Sequence, residues 1–304
     1  MKRKFLLAVA ILLCILFTGA YTMGFIFVKN PEQSPVKTTT VIERTGDDML
    51  NIQLIRHATV LLSTSDLKLL VDPFLAEQGS LPPFALSSPR VKNPLVPLPV
   101  NAADLLDVDA VLITHYHVDH FDAVAKSMIP KDTLIFCQPA DEAALKKDGF
   151  QNIVAVTAPV DWQGITLSRY DAHHGLGYLE KMMGASSSFV VKSACGSVFF
   201  TGDAVYDDLL ERSLNETKPD IVIANGGFAR FLFGQPITMG ARDIEKIATL
   251  LPESSIVVDH MDAVNHCQES RVDLMNYLSE KEFADRVFIP LDGDVLTYQS
   301  GFLR

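Results

Sequence analysis

Apolar residues recur along the chain in short runs separated by polar turns. Between residues 51 and 74 three such runs follow one another, and their alternation of polar and apolar positions is typical of short strands in a meander. Later apolar runs alternate with segments such as 239–251, whose apolar positions recur at helical spacing. This β-then-α rhythm appears in both halves of the chain. It predicts an α/β fold in which helices cover the outer faces of the sheets.

The predicted elements after the meander are short, and one long loop precedes them. The strands are 110–113, 133–137, 153–156, 165–171, 188–192, 197–201, 220–224, 255–258, 287–290 and 295–298, and the helices are 122–128, 139–148, 239–251 and 268–278. The loop, residues 79–100, is rich in proline and has no helical period. Loops of this length in a compact domain are often lids or binding loops, and we call this segment the proline-rich loop.

The N-terminus has a different pattern. Lys2, Arg3 and Lys4 precede the uncharged residues 5–28, which as a helix would be about 36 Å long and would cross a bilayer. We therefore predict a signal anchor at 1–28, a polar linker at 29–48 and a globular domain at 49–304. The basic residues would place that domain outside the cytoplasm, on the cytoplasmic membrane. The alternative is a cleaved signal peptide, which would leave a secreted or periplasmic protein.

Composition and charge narrow the classes of partner. The chain has 304 residues, 48% of them hydrophobic, which is enough for a large core. Its net charge of −11 argues against nucleic acid as a partner and against a patch that binds anionic lipids. A small molecule is the partner we expect, and the anchor also allows a lipid-derived one. Four widely spaced cysteines do not form a disulfide framework.

The densest chemical signal follows the predicted strand 110–113. Three histidines and an aspartate occur within six residues there: His115, His117, Asp119 and His120. Imidazole nitrogens and carboxylate oxygens are the ligands that borderline metals such as zinc prefer. The segment therefore predicts a metal site where a buried strand breaks into a loop.

Other polar residues follow the same positional rule. All eight histidines lie at or near the end of a predicted strand: His57, His115, His117, His120, His173, His174, His260 and His266. Asp203, after the run 199–202, adds a carboxylate of the same kind. This placement predicts one convergent site at the strand ends. His57 and Asp72 are candidates for substrate contact or for support of a ligand histidine, and simple strand-end hydrogen bonding is the alternative for both.

These motifs resemble the metallo-β-lactamase superfamily. The order His-x-His-x-Asp-His, a distant His, Gly-Asp and a final His carries the resemblance over about residues 49–304. Segments 56–59, 71–73, 109–111 and 260–267, with the proline-rich loop, look most like the ascorbate-phosphate lactonase-like metal-dependent hydrolases. The resemblance to the N-acylphosphatidylethanolamine phospholipase D group is more distant. The resemblance to the superfamily implies a four-layer αβ/βα sandwich with a two-metal site at its edge.

The resemblance also implies a ligand set. The first metal would be held by His115, His117 and His174, the second by Asp119, His120 and His260, and Asp203 would bridge the two. His173 is the alternative to His174, because the two are adjacent. The expected cofactors are two divalent ions, Zn²⁺ first and Mn²⁺ or Fe²⁺ as alternatives.

Such a site predicts hydrolysis. Two cations about 3.5–4 Å apart lower the pKa of a shared water to about 7, and the resulting hydroxide attacks a carbonyl carbon or phosphorus. Asp119 would orient the water or carry its proton, and His57 would contact the substrate. The expected reaction is cleavage of an ester, lactone, amide or phosphodiester bond. A di-iron redox protein and a non-catalytic metal-binding protein on the same fold are the alternatives.

Overall fold

The structure is a computed structural model that describes residues 36–44, 49–299 and 301–304. The predicted anchor at 1–28 and most of the predicted linker lie outside these residues. Within the described ranges, no helix combines the length and the apolar character needed to cross a bilayer.

The first sheet has eight strands in the described part of the chain. They are β1 (Met49–Arg56), β2 (Thr59–Ser63), β3 (Lys68–Val71), β4 (Ala110–Ile113), β5 (Leu134–Cys137), β6 (Asn152–Ala155), β14 (Val295–Gln299) and β15 (Phe302–Leu303). Their spatial order is β15-β14-β1-β2-β3-β4-β5-β6. The predicted meander β1–β3 is antiparallel, whereas β3 to β6 run parallel.

The second sheet has seven strands among the described residues. They are β7 (Val160–Trp162), β8 (Ile165–Ala172), β9 (Ser186–Ser193), β10 (Gly196–Phe200), β11 (Ile221–Asn225), β12 (Ser255–Asp259) and β13 (Val287–Phe288). Their spatial order follows the chain, from β13 at one edge to β7 at the other. β7 to β10 form antiparallel pairs, and β10 to β13 run parallel.

Six α-helices connect these strands in the described ranges. They are α1 (Ala123–Met128), α2 (Glu142–Lys147), α3 (Tyr178–Met183), α4 (Asp208–Thr217), α5 (Ala241–Leu250) and α6 (Arg271–Leu278). Short 3₁₀ turns occupy Ala102–Leu106, Pro139–Asp141 and Ala284–Arg286.

Strand alternation builds the layers. In β4, Leu112 points between the sheets and packs in one cluster with Phe189 and Phe200 of the second sheet. Its neighbour Val111 points outward into a cluster that includes Leu145 of α2. The outer face of the second sheet is covered in the same way by α4, α5 and α6. Each large apolar side chain buried in this way contributes roughly 1.5–3 kcal/mol. The predicted four-layer α/β sandwich is confirmed.

Several elements differ from the sequence-based prediction. The predicted helix 139–148 is divided into a 3₁₀ turn and α2, and the predicted helix 268–278 begins only at Arg271. The second boundary has a clear cause, because Ser270 and Asp273 form a reciprocal capping box. Strands β7 and β15 and helices α3 and α4 were not predicted. Helix α4 buries few apolar residues and is stabilised at its start by Asp207, whose side chain accepts from the amides of residues 209 and 210.

Candidate metal centre

Turns from both sheets meet at one edge of the sandwich. The residues after β4 lie there together with residues that follow β8, β10 and β12 and with the turn between β1 and β2. Three groups have potential ligand atoms within 4.8 Å of one another: His115, His117 and His174; His115, His120 and Asp203; and His57, Asp119, His120 and His260. Every residue predicted to bind metal therefore lies in this cluster.

Asp203 lies between two pairs of histidines. Its Oδ2 is 3.4 Å from His174 Nε2 and 3.8 Å from His115 Nε2. Its Oδ1 is 3.3 Å from Nε2 of both His120 and His260. The two oxygens of one carboxylate thus face two separate pairs of imidazoles.

Asn225 fixes the orientation of this carboxylate. Its side-chain Nδ2 donates a 2.8 Å hydrogen bond to Asp203 Oδ1. Asn225 ends β11, which runs parallel to β10, so the strand register brings the amide next to the carboxylate. The contact from Asn225 to Asp203 was not predicted from the sequence.

Hydrogen bonds to carbonyl groups define which nitrogen of two histidines carries the proton. His174 Nδ1 lies 2.8 Å from the carbonyl oxygen of Ile237, and His117 Nε2 lies 2.9 Å from that of Met183. A carbonyl only accepts, so these nitrogens are the donors. In the neutral rings the lone pairs therefore remain on His174 Nε2 and His117 Nδ1, where they are available to a metal.

Asp72 orients two further histidines. It accepts hydrogen bonds from the amide and hydroxyl of Thr114 at 2.8 and 2.6 Å and from His120 Nδ1 at 2.9 Å. Because the Thr114 hydroxyl donates to Asp72, it can accept from His115 Nδ1, which is 3.0 Å away. One carboxylate therefore directs Nε2 of both His115 and His120 toward Asp203, which is the supporting position considered from the sequence.

We expect Asp72→Asn to weaken metal binding about 10–100-fold, because this is the usual effect of removing such a supporting carboxylate. Competition with a fluorescent chelator measures the change in affinity. Asp161→Asn, at an exposed position on β7, is the matched control and should bind metal like the wild type. Equal metal affinity in Asp72→Asn and the control would contradict the supporting role.

The cluster has the chemistry that a metal ion requires. Nε2 of His115, His120 and His260 is buried and makes no hydrogen bond with any described residue. Burial lowers the pKa of His115 well below its usual value, so this ring is neutral. Burial also lowers the pKa of His120, but Asp203 and Asp72 outweigh it and raise that pKa well above normal. The cluster thus favours a positive charge, and its unpartnered nitrogens fit divalent cations.

His57 contacts two residues of the cluster, Asp119 and His260. It is fully buried, and its Nε2 is 3.3 Å from Asp119 Oδ2. Its ring lies 3.8 Å from the ring of His260, and its carbonyl accepts from the His260 amide at 3.0 Å. Burial, followed by the charge of His260, lowers the pKa of His57 well below its usual value. Direct contact of His57 with substrate stays a prediction, because the side chain does not line the cavity described below.

Non-glycine residues of this region adopt left-handed backbones, among them His57, Asp72 and His260. The φ angles are 60° at His57, 45° at Asp72 and 59° at His260. Such conformations cost on the order of 1–3 kcal/mol each and persist where the surrounding structure holds them, most often at functional sites.

The adjacent residues His173 and His174 have different environments. His174 is buried within the cluster, whereas the His173 side chain is 37% exposed and pairs with Asp207 at the start of α4. Of the two alternatives from the sequence, the structure brings only His174 to the other candidate ligands.

A cavity of about 230 Å³ opens over the cluster. It is lined by Phe84, Ala85, His117, Val118, Asp119, His174, Met183, Asp203, Phe231 and His266. Half of these side chains are apolar, and no lysine or arginine of the described residues is among them. The structure places His266, one of the eight histidines near predicted strand ends, in the wall of this cavity. Burial lowers the pKa of His266 to about 4, so its ring is neutral near pH 7.

The proline-rich loop supplies one wall of this cavity and is held by Asn265. The amide of Phe84 donates to Asn265 Oδ1 at 3.1 Å, and Asn93 Nδ2 donates to the same oxygen at 2.9 Å. Asn265 Nδ2 donates to Ser87 Oγ at 2.7 Å and to the Pro89 carbonyl at 2.8 Å. The side chain of Asn265 is therefore fully hydrogen-bonded, and it keeps Phe84 at the cavity.

Comparison with known proteins identifies the family. The beta-lactamase superfamily domain matches residues 68–261. The chain belongs to the metallo-β-lactamase superfamily. It is 37% identical over 254 residues to the UPF0173 protein YddR of Bacillus subtilis, covering 82% of this chain and all of that protein. A UPF0173 metal-dependent hydrolase of Pyrococcus abyssi is 26% identical over 216 residues, 70% of this chain and 84% of that protein.

A solved structure agrees with this identification. The isothiocyanate hydrolase from Delia radicum gut bacteria has a TM-score of 0.79 and 34% sequence identity, covering 82% of this chain and all of that one. The superfamily predicted from the sequence is confirmed, within the UPF0173 branch. This superfamily member is a metal-dependent hydrolase, and its His/Asp cluster can bind metal.

Proposed function

We propose that this superfamily member is a dinuclear hydrolase that adds water to an electrophilic carbon of a small, uncharged substrate. The observation that supports two metals is the position of Asp203, whose two oxygens face different pairs of histidines. One ion would be held by His115, His117 and His174, the other by Asp119, His120 and His260, with Asp203 shared between them. Zn²⁺ is the ion we favour, because the set combines imidazole and carboxylate ligands.

When bound, the two cations supply Lewis-acid chemistry that lowers the pKa of water to about 7 and polarises the scissile bond. The protein's own contribution begins with Asp119, which lines the cavity. Burial raises the pKa of Asp119, but the hydrogen bond from His57 and the neighbouring histidines outweigh it and hold that pKa well below normal. Asp119 is therefore a carboxylate at neutral pH and can orient water. Because its pKa is low, it relays the proton of that water to solvent and does not keep it.

The cavity walls support the choice of substrate. Phe84, Met183 and Phe231 offer apolar surface, and no described lining residue is a lysine or arginine that would pair with a phosphate. Esters, lactones, amides and isothiocyanates all present an uncharged electrophilic carbon. The isothiocyanate hydrolase with the same fold and 34% identity adds weight to this class. A phosphodiester is the less favoured option, and the proposed partner is a small molecule.

Metal analysis and a substrate panel test the proposal together. The protein is purified without added metal or chelator, and its metal is counted by mass spectrometry. We expect near two equivalents of zinc, and turnover of a phenyl ester, a γ-lactone, an aryl amide or benzyl isothiocyanate that a chelator abolishes. Hydrolysis of bis(p-nitrophenyl) phosphate alone would overturn the substrate class. One equivalent of metal, or two of iron with no hydrolysis, would overturn the dinuclear hydrolase.

A further inference from the structure

His266 lines the cavity described above. Its residue is 5% exposed, and its Nδ1 is buried without a partner among the described residues. The ring packs edge-on against Phe84, with the centroids 4.5 Å apart and an angle of 68° between the planes. Asp119 and Asp203 line the same cavity as His266.

The position of this ring is determined by its surroundings. The His266 carbonyl accepts a 3.1 Å hydrogen bond from the Arg230 amide. The residue before it, Asn265, makes four side-chain hydrogen bonds to the proline-rich loop. The residue after it, Cys267, donates a hydrogen bond from its thiol to the carbonyl of His260. Backbone contacts and the packing on Phe84 therefore hold the imidazole, and its N–H is left for a ligand.

A role in packing alone does not explain a histidine here. A buried ring nitrogen without a partner costs free energy that phenylalanine or leucine at the same position would not cost. Such a cost is offset when the cavity is filled by a molecule that accepts the hydrogen bond. The neutral ring has one N–H donor to offer, whichever nitrogen carries the proton.

We propose that His266 is a catalytic residue that donates a hydrogen bond to the substrate heteroatom on which negative charge grows. The proposal rests on the hydrolytic function proposed for the same site. As water adds, one C–O bond forms and one O–H bond of the water breaks. The π electrons of the C=O or C=S bond move to the oxygen or sulfur, and the proton passes by way of Asp119 to solvent. His266 stabilises that oxygen or sulfur by an N–H placed before the reaction begins.

Kinetic measurements test the role during turnover. We expect His266→Phe, which keeps the packing on Phe84, to lower kcat about 100- to 1,000-fold, the usual effect of losing one such donor. Metal content and the unfolding temperature should match the wild type. His266→Asn and His266→Gln place an amide N–H near the Nδ1 and Nε2 positions, and one of them should recover part of kcat. His173→Phe is the matched control outside the cavity and should leave kcat unchanged.

A binding measurement separates this proposal from the proposed function. Phenylacetamide, an uncharged carbonyl compound that resists hydrolysis, is titrated into the purified protein by calorimetry. Its affinity should fall about threefold to tenfold in His266→Phe and not in His173→Phe, as expected for one neutral hydrogen bond. If the wild type hydrolyses none of the panel but this difference remains, the proposed function fails and the role of His266 as a donor stands. Equal affinity in both variants, or no binding to the wild type, overturns the role of His266.

Discussion

Asp203→Asn is expected to remove metal binding and to lower kcat/KM by on the order of 1,000-fold or more, since positioned electrostatic groups of this kind dominate catalysis. The carboxylate is 3.3 to 3.8 Å from four imidazole Nε2 atoms, and it is the shared element of both histidine pairs. An amide of the same shape presents an NH₂ group to one pair and removes the negative charge. Metal is counted by mass spectrometry, and turnover is measured on the substrate panel.

The matched control for this variant is Asp161→Asn, which makes the same chemical change at an exposed position on β7. It should bind two ions and turn over like the wild type. The Asp203 variant should remain folded by circular dichroism, because Asn225 can still hydrogen-bond to the amide oxygen. Two firmly bound ions in Asp203→Asn would contradict a bridging position.

Arg271→Met is expected to lower the free energy of unfolding by about 3–5 kcal/mol, because it leaves buried carboxylates without their partner. Arg271 is 1% exposed, with NH2 2.5 Å from Asp292 Oδ1 and NH1 3.3 Å from Asp262 Oδ2. Its Nε donates to the Pro290 carbonyl at 2.8 Å. Urea unfolding followed by fluorescence measures the change.

The control is Arg242→Met on the exposed side of α5, which should change the free energy of unfolding by less than about 0.5 kcal/mol.

A double variant tests whether the loss of stability comes from lost packing or from the unpaired carboxylate. Burial raises the pKa of Asp292, although Arg271 opposes this shift. Adding Asp292→Asn to Arg271→Met should therefore recover part of the lost stability. If the double variant is less stable than Arg271→Met, unpaired charge is not the main cause.

The metal ligands were predictable from the sequence because histidine is rare and recurs here at the ends of predicted strands. His115, His117, Asp119 and His120 follow a buried strand, and parallel strands bring their ends to one edge. The same reasoning included Asp203 and His260 after β10 and β12. Local spacing alone did not decide between His173 and His174, because both are adjacent to the end of β8.

The supporting contacts were not predictable in the same way. Asn225 reaches Asp203 through the register of two parallel strands, and Asn265 holds a loop that precedes it by more than 160 residues. Amides are common in turns, so neither residue type indicates a partner. Helix α3 was missed because its six residues are too few to show a helical period, and α4 was missed because only three of its ten positions are apolar.

The sequence by itself determined an α/β fold and the strand ends that carry the ligands, because hydrophobic period and ligand spacing are local properties of the chain. The sandwich architecture was implied by the resemblance of its motifs to the superfamily. Only the tertiary structure decided that Asp203 faces two pairs of histidines and that Asp72 directs His115 and His120. It also decided that His266 lines the cavity and that its Nδ1 has no hydrogen-bond partner among the described residues. These features depend on distances between residues far apart in sequence, and such distances exist only once two sheets have packed on each other.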